Sequence, residues 1–123
     1  MHKIDRGVDG LKRVEKPWGY ELWWTVTDKY VGKLIHVNQG HSLSLQYHLK
    51  KHESMYLLAG EAEIFLDGET RTFHPGEAIV IPPPTRHRLT ALVDIDVIEV
   101  STPELDDVVR LEDRYGRAGT SAP

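Results

Sequence analysis

A chain of 123 residues fits one domain with a single core, and its 40% apolar and 28% charged residues exclude global disorder. A formal charge of -4 gives no general attraction to nucleic acid or an anionic membrane, so neither is expected as a partner. Cysteine is absent, which excludes a disulfide framework and thiolate sites and leaves nitrogen and oxygen as the donors for any metal. The start Met1-His2-Lys3-Ile4-Asp5-Arg6 lacks the apolar run of a signal peptide, and no window approaches ~18 apolar residues, so a soluble cytoplasmic protein is expected.

Residues 1–15 are charged and weakly patterned and read as an N-terminal arm, residues 16–115 as the domain, and residues 116–123, small and polar, as a flexible tail. Aromatic and branched residues predict a strand from Tyr20 to Val26 and a second from Tyr30 to Val37, with Asp28-Lys29 as the turn between them. Asn38-Gln39-Gly40 closes the second strand, and a third follows through Leu49. Strands are predicted next from Met55 to Ala59, Ala62 to Leu66 and Thr70 to Phe73, the last two joined by Asp67-Gly68, a pair suited to a type I′ turn. His74-Pro75-Gly76-Glu77 turns the chain into Ala78 to Ile81. Pro82-Pro83-Pro84 cannot lie in a central strand and delivers His87 to the start of a strand over Arg88 to Leu92. In the run Ile95 to Ser101, Ile95, Val97 and Glu99 share one side, and Val108 to Leu111 is a terminal strand after a turn at Glu104 to Asp107. Many short strands, turns rich in Gly and Pro and no amphipathic helix predict an all-β, antiparallel sandwich or barrel.

The chemistry concentrates between Leu43 and Glu53. Leu43, Leu45, Tyr47 and Leu49 alternate with Ser44, Gln46 and His48, so Gln46 and His48 point the same way. Their Cα atoms lie about 6.8 Å apart at a rise of ~3.4 Å per residue, within reach of one ion. Glu53 is an odd step beyond His48, and a hairpin through Lys50, Lys51 and His52 would return it to that face. A further ligand must come from elsewhere. Such nitrogen and oxygen donors suit one divalent ion: Zn, Fe, Mn or Ni. On periodicity alone the polar face meets water, because one-sided antiparallel strands are common.

These residues carry a family pattern. Gly40, Gln46, His48, Glu53 and Gly60 match the first motif of the cupins, with Gln46 where many members have His; Gly76, Pro82 and His87 match the second, with Pro84 in place of Gly and Ala91 in place of Asn. The chain resembles a cupin, which implies a single-domain jelly-roll β-barrel and makes His87 the fourth metal ligand. Within that family it is similar to the C-terminal domain of type II mannose-6-phosphate isomerases, bifunctional proteins that also carry a guanylyltransferase domain. Lys16-Pro17-Trp18-Gly19-Tyr20-Glu21, Leu43-Ser44-Leu45-Gln46 and the stretch from Asp106 to Arg117 carry that likeness. The ligand types also look like those of the zinc-dependent type I isomerases, which makes Zn the first expectation.

The resemblance implies an aldose-ketose isomerase acting on a sugar phosphate, with a metal-dependent cupin dioxygenase or a non-catalytic sugar- or metal-binding module as alternatives. It suggests Lys51 for substrate phosphate or proton transfer, and Arg88, with Lys50 as a weaker case, for phosphate. Against these stands the ordinary reading of exposed lysine and strand arginine as surface residues. Glu99, an acid among apolar partners on a late strand, is the other candidate base. Trp18, Trp23 and Trp24 read as core or interface rather than a sugar platform. A polar face turned into the barrel leaves the apolar face outside, and a homodimer or a folded-over N-terminal strand is expected to cover it.

Overall fold

The structure, a computed structural model, describes residues 11–121. Two-residue alternation broken by Gly, Pro, Asn and Asp produces twelve strands among these residues: β1 (Lys12–Lys16), β2 (Gly19–Val26), β3 (Val31–Val37), β4 (Leu45–Tyr47), β5 (Glu53–Ala59), β6 (Ala62–Leu66), β7 (Glu69–Phe73), β8 (Ala78–Ile81), β9 (His87–Ala91), β10 (Ile95–Ser101), β11 (Val108–Glu112) and β12 (Gly119–Ser121). They form two six-stranded sheets, ordered β1-β2-β3-β10-β5-β8 and β12-β11-β4-β9-β6-β7, with every strand pairing among the described residues antiparallel. No helix among the described residues is long and apolar enough to cross a membrane.

Three expectations are corrected. Residues 12–16 of the supposed arm are a strand paired along β2, Lys12 opposite Trp23 and Lys16 opposite Gly19, while residues 1–10 lie outside the described residues. Within the supposed tail, Gly119–Ser121 pairs with β11, and residues 122–123 lie outside the described residues. Glu53 does not return by a hairpin: β4 belongs to one sheet and β5 to the other, so the chain from Leu49 to His52 crosses between sheets. The odd step is thereby absorbed by a change of sheet, which also brings Glu53 to face His48.

Turn chemistry sets the register. Asp67 (φ 44°) and Gly68 (φ 98°) occupy the left-handed region that a type I′ turn requires between β6 and β7. At Gly60 (φ 93°) a Cβ atom would stand 2.2 Å from the Asp94 carbonyl oxygen, so the turn after β5 has no room for a side chain.

The interior is apolar at one end and charged at the other. Along β10, Ile95 and Val97 point into the core and Glu99 and Ser101 continue on the same face; along β3, Val37 and Ile35 give way to Lys33; along β5, Leu57 and Met55 give way to Glu53. Cross-strand register places these changes side by side, Val97 opposite Ile35 and Leu57, then Glu99 opposite Lys33 and Met55. Trp18, Phe73, Ile64, Ile79, Ile81 and Leu89 belong to the same buried apolar cluster. Trp23 is also buried, whereas Trp24 stands on the outer surface.

Candidate metal centre

Three strands deliver the ligands. His48 follows β4 on the face it shares with Ser44, His87 opens β9, and Glu53 opens β5 from the opposite sheet; all three side chains are buried. Glu53 Oε1 lies 3.4 Å from His48 Nε2, and Glu53 Oε2 lies 3.1 Å from His87 Nε2. Donor atoms around a tetrahedral ion with bonds of ~2.0 Å sit about 3.3 Å apart, so these separations match a shared cation. Gln46 is half-buried, and its backbone is the direct register partner of His87. Ser44 Oγ donates to Gln46 Oε1 at 3.3 Å.

The imidazoles are held in the tautomer that a metal needs. His48 Nδ1 donates to the Asp107 carbonyl at 2.6 Å, and His87 Nδ1 donates to the Thr85 carbonyl at 2.9 Å. Each bond fixes a ring and leaves its Nε2 turned inward, as outer-sphere partners do in metal sites. Neither Nε2, nor Glu53 Oε2, has a hydrogen-bond partner, although buried polar atoms are normally satisfied. Those orphaned atoms belong to residues whose donor atoms lie within 4.8 Å of one another, and together they fit a divalent cation. The Asp107 carboxylate orders the crossing loop by accepting the amides of Leu49 (3.1 Å), Lys50 (2.6 Å) and Lys51 (2.9 Å).

Two further charged side chains lie against the triad. Lys51 Nζ lies 3.4 Å from Glu53 Oε1 and 3.2 Å from Glu99 Oε2, all three groups being buried. Burial would raise the Glu53 carboxyl, but the two imidazoles and the Lys51 ammonium outweigh it and hold Glu53 well below the carboxylate range. Burial lowers Lys51 and the Glu99 and Glu53 carboxylates more than reverse that, so Lys51 remains an ammonium at neutral pH. His87 is raised in the same manner: burial opposes its charge and Glu53 favours it. Glu99 moves upward, pushed by burial and by Glu53 against the pull of Lys51.

With this geometry in view, the comparisons with known proteins are decisive about ancestry. The family model described as "Mannose-6-phosphate isomerase C-terminal" matches residues 5–113. The chain belongs to that family. It is 38% identical over 111 residues to a mannose-1-phosphate guanylyltransferase of Escherichia coli strain K12, covering 86% of this chain and 23% of that protein. It is 32% identical over 114 residues to the alginate biosynthesis protein AlgA of Pseudomonas aeruginosa, covering 89% of this chain and 24% of that protein. The chain thus spans about a quarter of the length of these relatives. Among solved structures it is similar to KdgF from Halomonas sp., with TM-score 0.69, 24% identity, and 77% of this chain and 88% of that one covered. An RmlC-like cupin from Shewanella frigidimarina matches with TM-score 0.70 and 14% identity over 77% of this chain and 86% of that one. The fold is therefore the single-domain cupin jelly roll.

In this family member, Gln46, His48, Glu53, His87, Lys51 and Glu99 line or face one interior site. Arg88 and Lys50 do not join it. His87 points inward, so the next residue on β9 must point outward; Arg88 there donates through Nε to the Leu43 carbonyl at 3.2 Å and pairs with Glu112 at 3.5 Å. Lys50 is exposed on the crossing loop. Conversely, the cavity has cationic walls that the motifs did not announce: Lys16, Lys33, Arg110 and Arg117, with Glu21 among them. Alternation would have found Lys33, which shares the parity of Val31, Ile35 and Val37, but nothing local marks Asp107 or Thr85, whose carbonyls act.

Arg117 is set in place by Asp113. Its Nε and Nη2 donate to the two carboxylate oxygens at 3.1 and 2.9 Å, and the amides of Tyr115 and Arg117 add two more bonds. The Arg117 fork is the largest influence holding Asp113 down to about 2. A carboxyl depressed on folding from about 4 contributes stability above that pH and loses it as pH falls toward the folded value. Asp113→Asn is therefore expected to cost about 1–2 kcal/mol at pH 7, with the gap to the parent closing between about pH 4 and pH 2 in a series of denaturant unfolding curves.

Proposed function

We infer that the site performs metal-dependent aldose-ketose isomerisation of a sugar phosphate, mannose 6-phosphate being the first substrate to test. The observation that carries this reading is the buried triad of His48, Glu53 and His87 with an ammonium, Lys51, and a carboxyl, Glu99, immediately beside it. The triad and Gln46 would hold a divalent ion, which would supply Lewis acidity toward a substrate carbonyl. Zn is the first candidate, since two imidazoles with oxygen donors suit it, and Fe, Mn and Ni share that preference.

The chain's own residues divide the remaining work by charge. Lys51, kept cationic by two carboxylates, cannot take up a proton, so it donates hydrogen bonds to oxygen where negative charge develops. Glu99 has the opposite tendency: burial and a neighbouring carboxylate raise its proton affinity, which suits a base that removes a proton from carbon and returns it to the adjacent carbon. The surrounding apolar residues limit water and slow loss of that proton to solvent.

The working form is read as a homodimer in the cytoplasm. Leu22, Leu34, Ile98 and Tyr56 make one register row across the outer face of the first sheet, with Val80 and Val100 exposed beside it. An apolar sheet face of this kind favours a second copy. Light scattering is expected to give twice the 14.0 kDa of one chain.

Interconversion of mannose 6-phosphate and its ketose in deuterated water tests the activity. Metal-loaded protein is expected to turn over and to place solvent deuterium at C2. Thermal stabilisation by sugar phosphates with no turnover would replace the isomerase with a binding module.

A further inference from the structure

We propose that Asp107 is a positioning residue for the metal centre, setting His48 and Lys51 in place through its backbone carbonyl and its carboxylate together. This rests on the reading of His48, Glu53 and His87 as a metal site and is independent of the substrate.

The crossing between sheets creates the need for such a residue. Residues 49–52 carry the chain from β4 in one sheet to β5 in the other, so their amides lie outside either strand, and backbone donors without acceptors are costly. Apolar burial does little to hold this segment. Leu49 is 65% exposed, Lys50 and His52 are exposed, and within the crossing Lys51 alone turns inward.

The connection between β10 and β11 accepts all of these amides. Asp107 Oδ1 accepts from Leu49 at 3.1 Å, Asp107 Oδ2 accepts from Lys50 at 2.6 Å and from Lys51 at 2.9 Å, and Thr102 Oγ1 accepts from His52 at 3.0 Å. The Thr102 amide returns a bond to the His52 carbonyl at 3.0 Å. Consecutive N–H groups converging on one carboxylate make an anion-binding concavity, and hydrogen bonds to an ionised acceptor are stronger than neutral ones.

The same residue reaches the site through its main chain, where the Asp107 carbonyl accepts His48 Nδ1 at 2.6 Å. His48 stands at one end of the clamped amides and Lys51 at the other, with Lys51 Nζ between Glu53 and Glu99. A displacement of Asp107 therefore moves a ligand imidazole and the neighbouring ammonium together. His87, by contrast, is fixed by the Thr85 carbonyl two residues earlier in its own segment.

The clamp requires a carboxylate. Asparagine keeps the shape and the backbone carbonyl, but its side-chain nitrogen is a donor. In one orientation it would face the amides of Lys50 and Lys51, and in the other the amide of Leu49.

Competition titration of Zn against a chromophoric chelator at pH 7 tests this with the parent, Asp107→Asn and Asp113→Asn. Asp107→Asn is expected to bind Zn ~10–100-fold more weakly, the range for losing an outer-sphere partner. Asp113→Asn alters a carboxylate that also accepts backbone amides, but those of Tyr115 and Arg117, so it should keep the parent's affinity. Parental affinity in Asp107→Asn, or an equal loss in Asp113→Asn, would overturn the assignment. The parent supplies a second readout that no folding defect in a variant can obscure. Coupling between two sites is reciprocal, so Zn should slow hydrogen exchange at the amides of Leu49, Lys50 and Lys51. Exchange there that Zn leaves unchanged would also overturn it. The two readings fail differently: a parent that binds no Zn removes the metal centre and the clamp's role with it, whereas Zn bound at parental strength by Asp107→Asn removes only the clamp.

Discussion

His48→Ala is expected to purify without its metal and without isomerase activity, because it removes one of three buried donors whose distances already describe an ion's coordination sphere. Losing an outer-sphere partner costs ~10–100-fold in metal affinity, and losing a direct ligand should exceed that. Elemental analysis of protein made without a histidine tag should show one ion per chain in the parent and only a trace in the variant. Metal retained at full occupancy together with full turnover would remove the triad from the mechanism.

The same site predicts a pH dependence. Metal binding requires an unprotonated Nε2 on His87, and Glu53 raises that nitrogen's proton affinity. Proton and metal thus compete, and affinity should climb as pH rises through the raised imidazole value. In the metal-free protein the sign is opposite. The His87 contribution to stability is complete below about pH 6.5, the ordinary imidazole value, and is lost as pH rises through the folded one. Glu53, depressed on folding, contributes above its unfolded value and loses that only in strong acid. Metal-free protein should therefore unfold more readily on the alkaline side, and added metal should cancel the trend.

How much of this was legible beforehand depends on which physical rule was local. Asp67-Gly68, Ala62–Leu66, Ala78–Ile81 and Ile95–Ser101 follow from turn chemistry and two-residue alternation, and they appear with the boundaries read from sequence. The inward parity of Glu99 was readable for the same reason. Glu53 was identified as a ligand candidate with the wrong path, since a change of sheet and a hairpin leave similar polar residues in the connection. β1 and β12 were missed because edge strands pair on one side only, and Lys12, Arg13 and Glu15 are exposed. Arg88 was misplaced for a different reason: its likeness to a family arginine overrode the alternation that turns it away from His87. Apart from Lys33, the cationic lining was invisible because Lys16, Arg110 and Arg117 come from separate segments that only the fold brings together.

Lys51→Met is expected to uncouple metal binding from catalysis. The methionine leaves the triad's donor atoms in place, so the variant should still carry an ion, yet it removes the cation between Glu53 and Glu99. Turnover should fall by ~10²–10³, the range associated with removing one positioned hydrogen-bond donor to developing charge. Without metal, two buried carboxylates would face each other uncompensated, and breaking a buried pair in this way costs about 3–5 kcal/mol. Added metal should recover much of that stability by offsetting the charge of Glu53, while leaving turnover low. Lys51→Arg, which keeps the charge, should recover part of the stability and part of the activity, because the guanidinium cannot occupy the ammonium's position between the two carboxylates. Glu99→Gln should keep the metal and lose the basic group, so its residual rate should no longer follow the ionisation of Glu99. A surface lysine would give none of these results, and Lys51→Met with parental turnover, measured beside its metal content, would return the residue to a purely structural role.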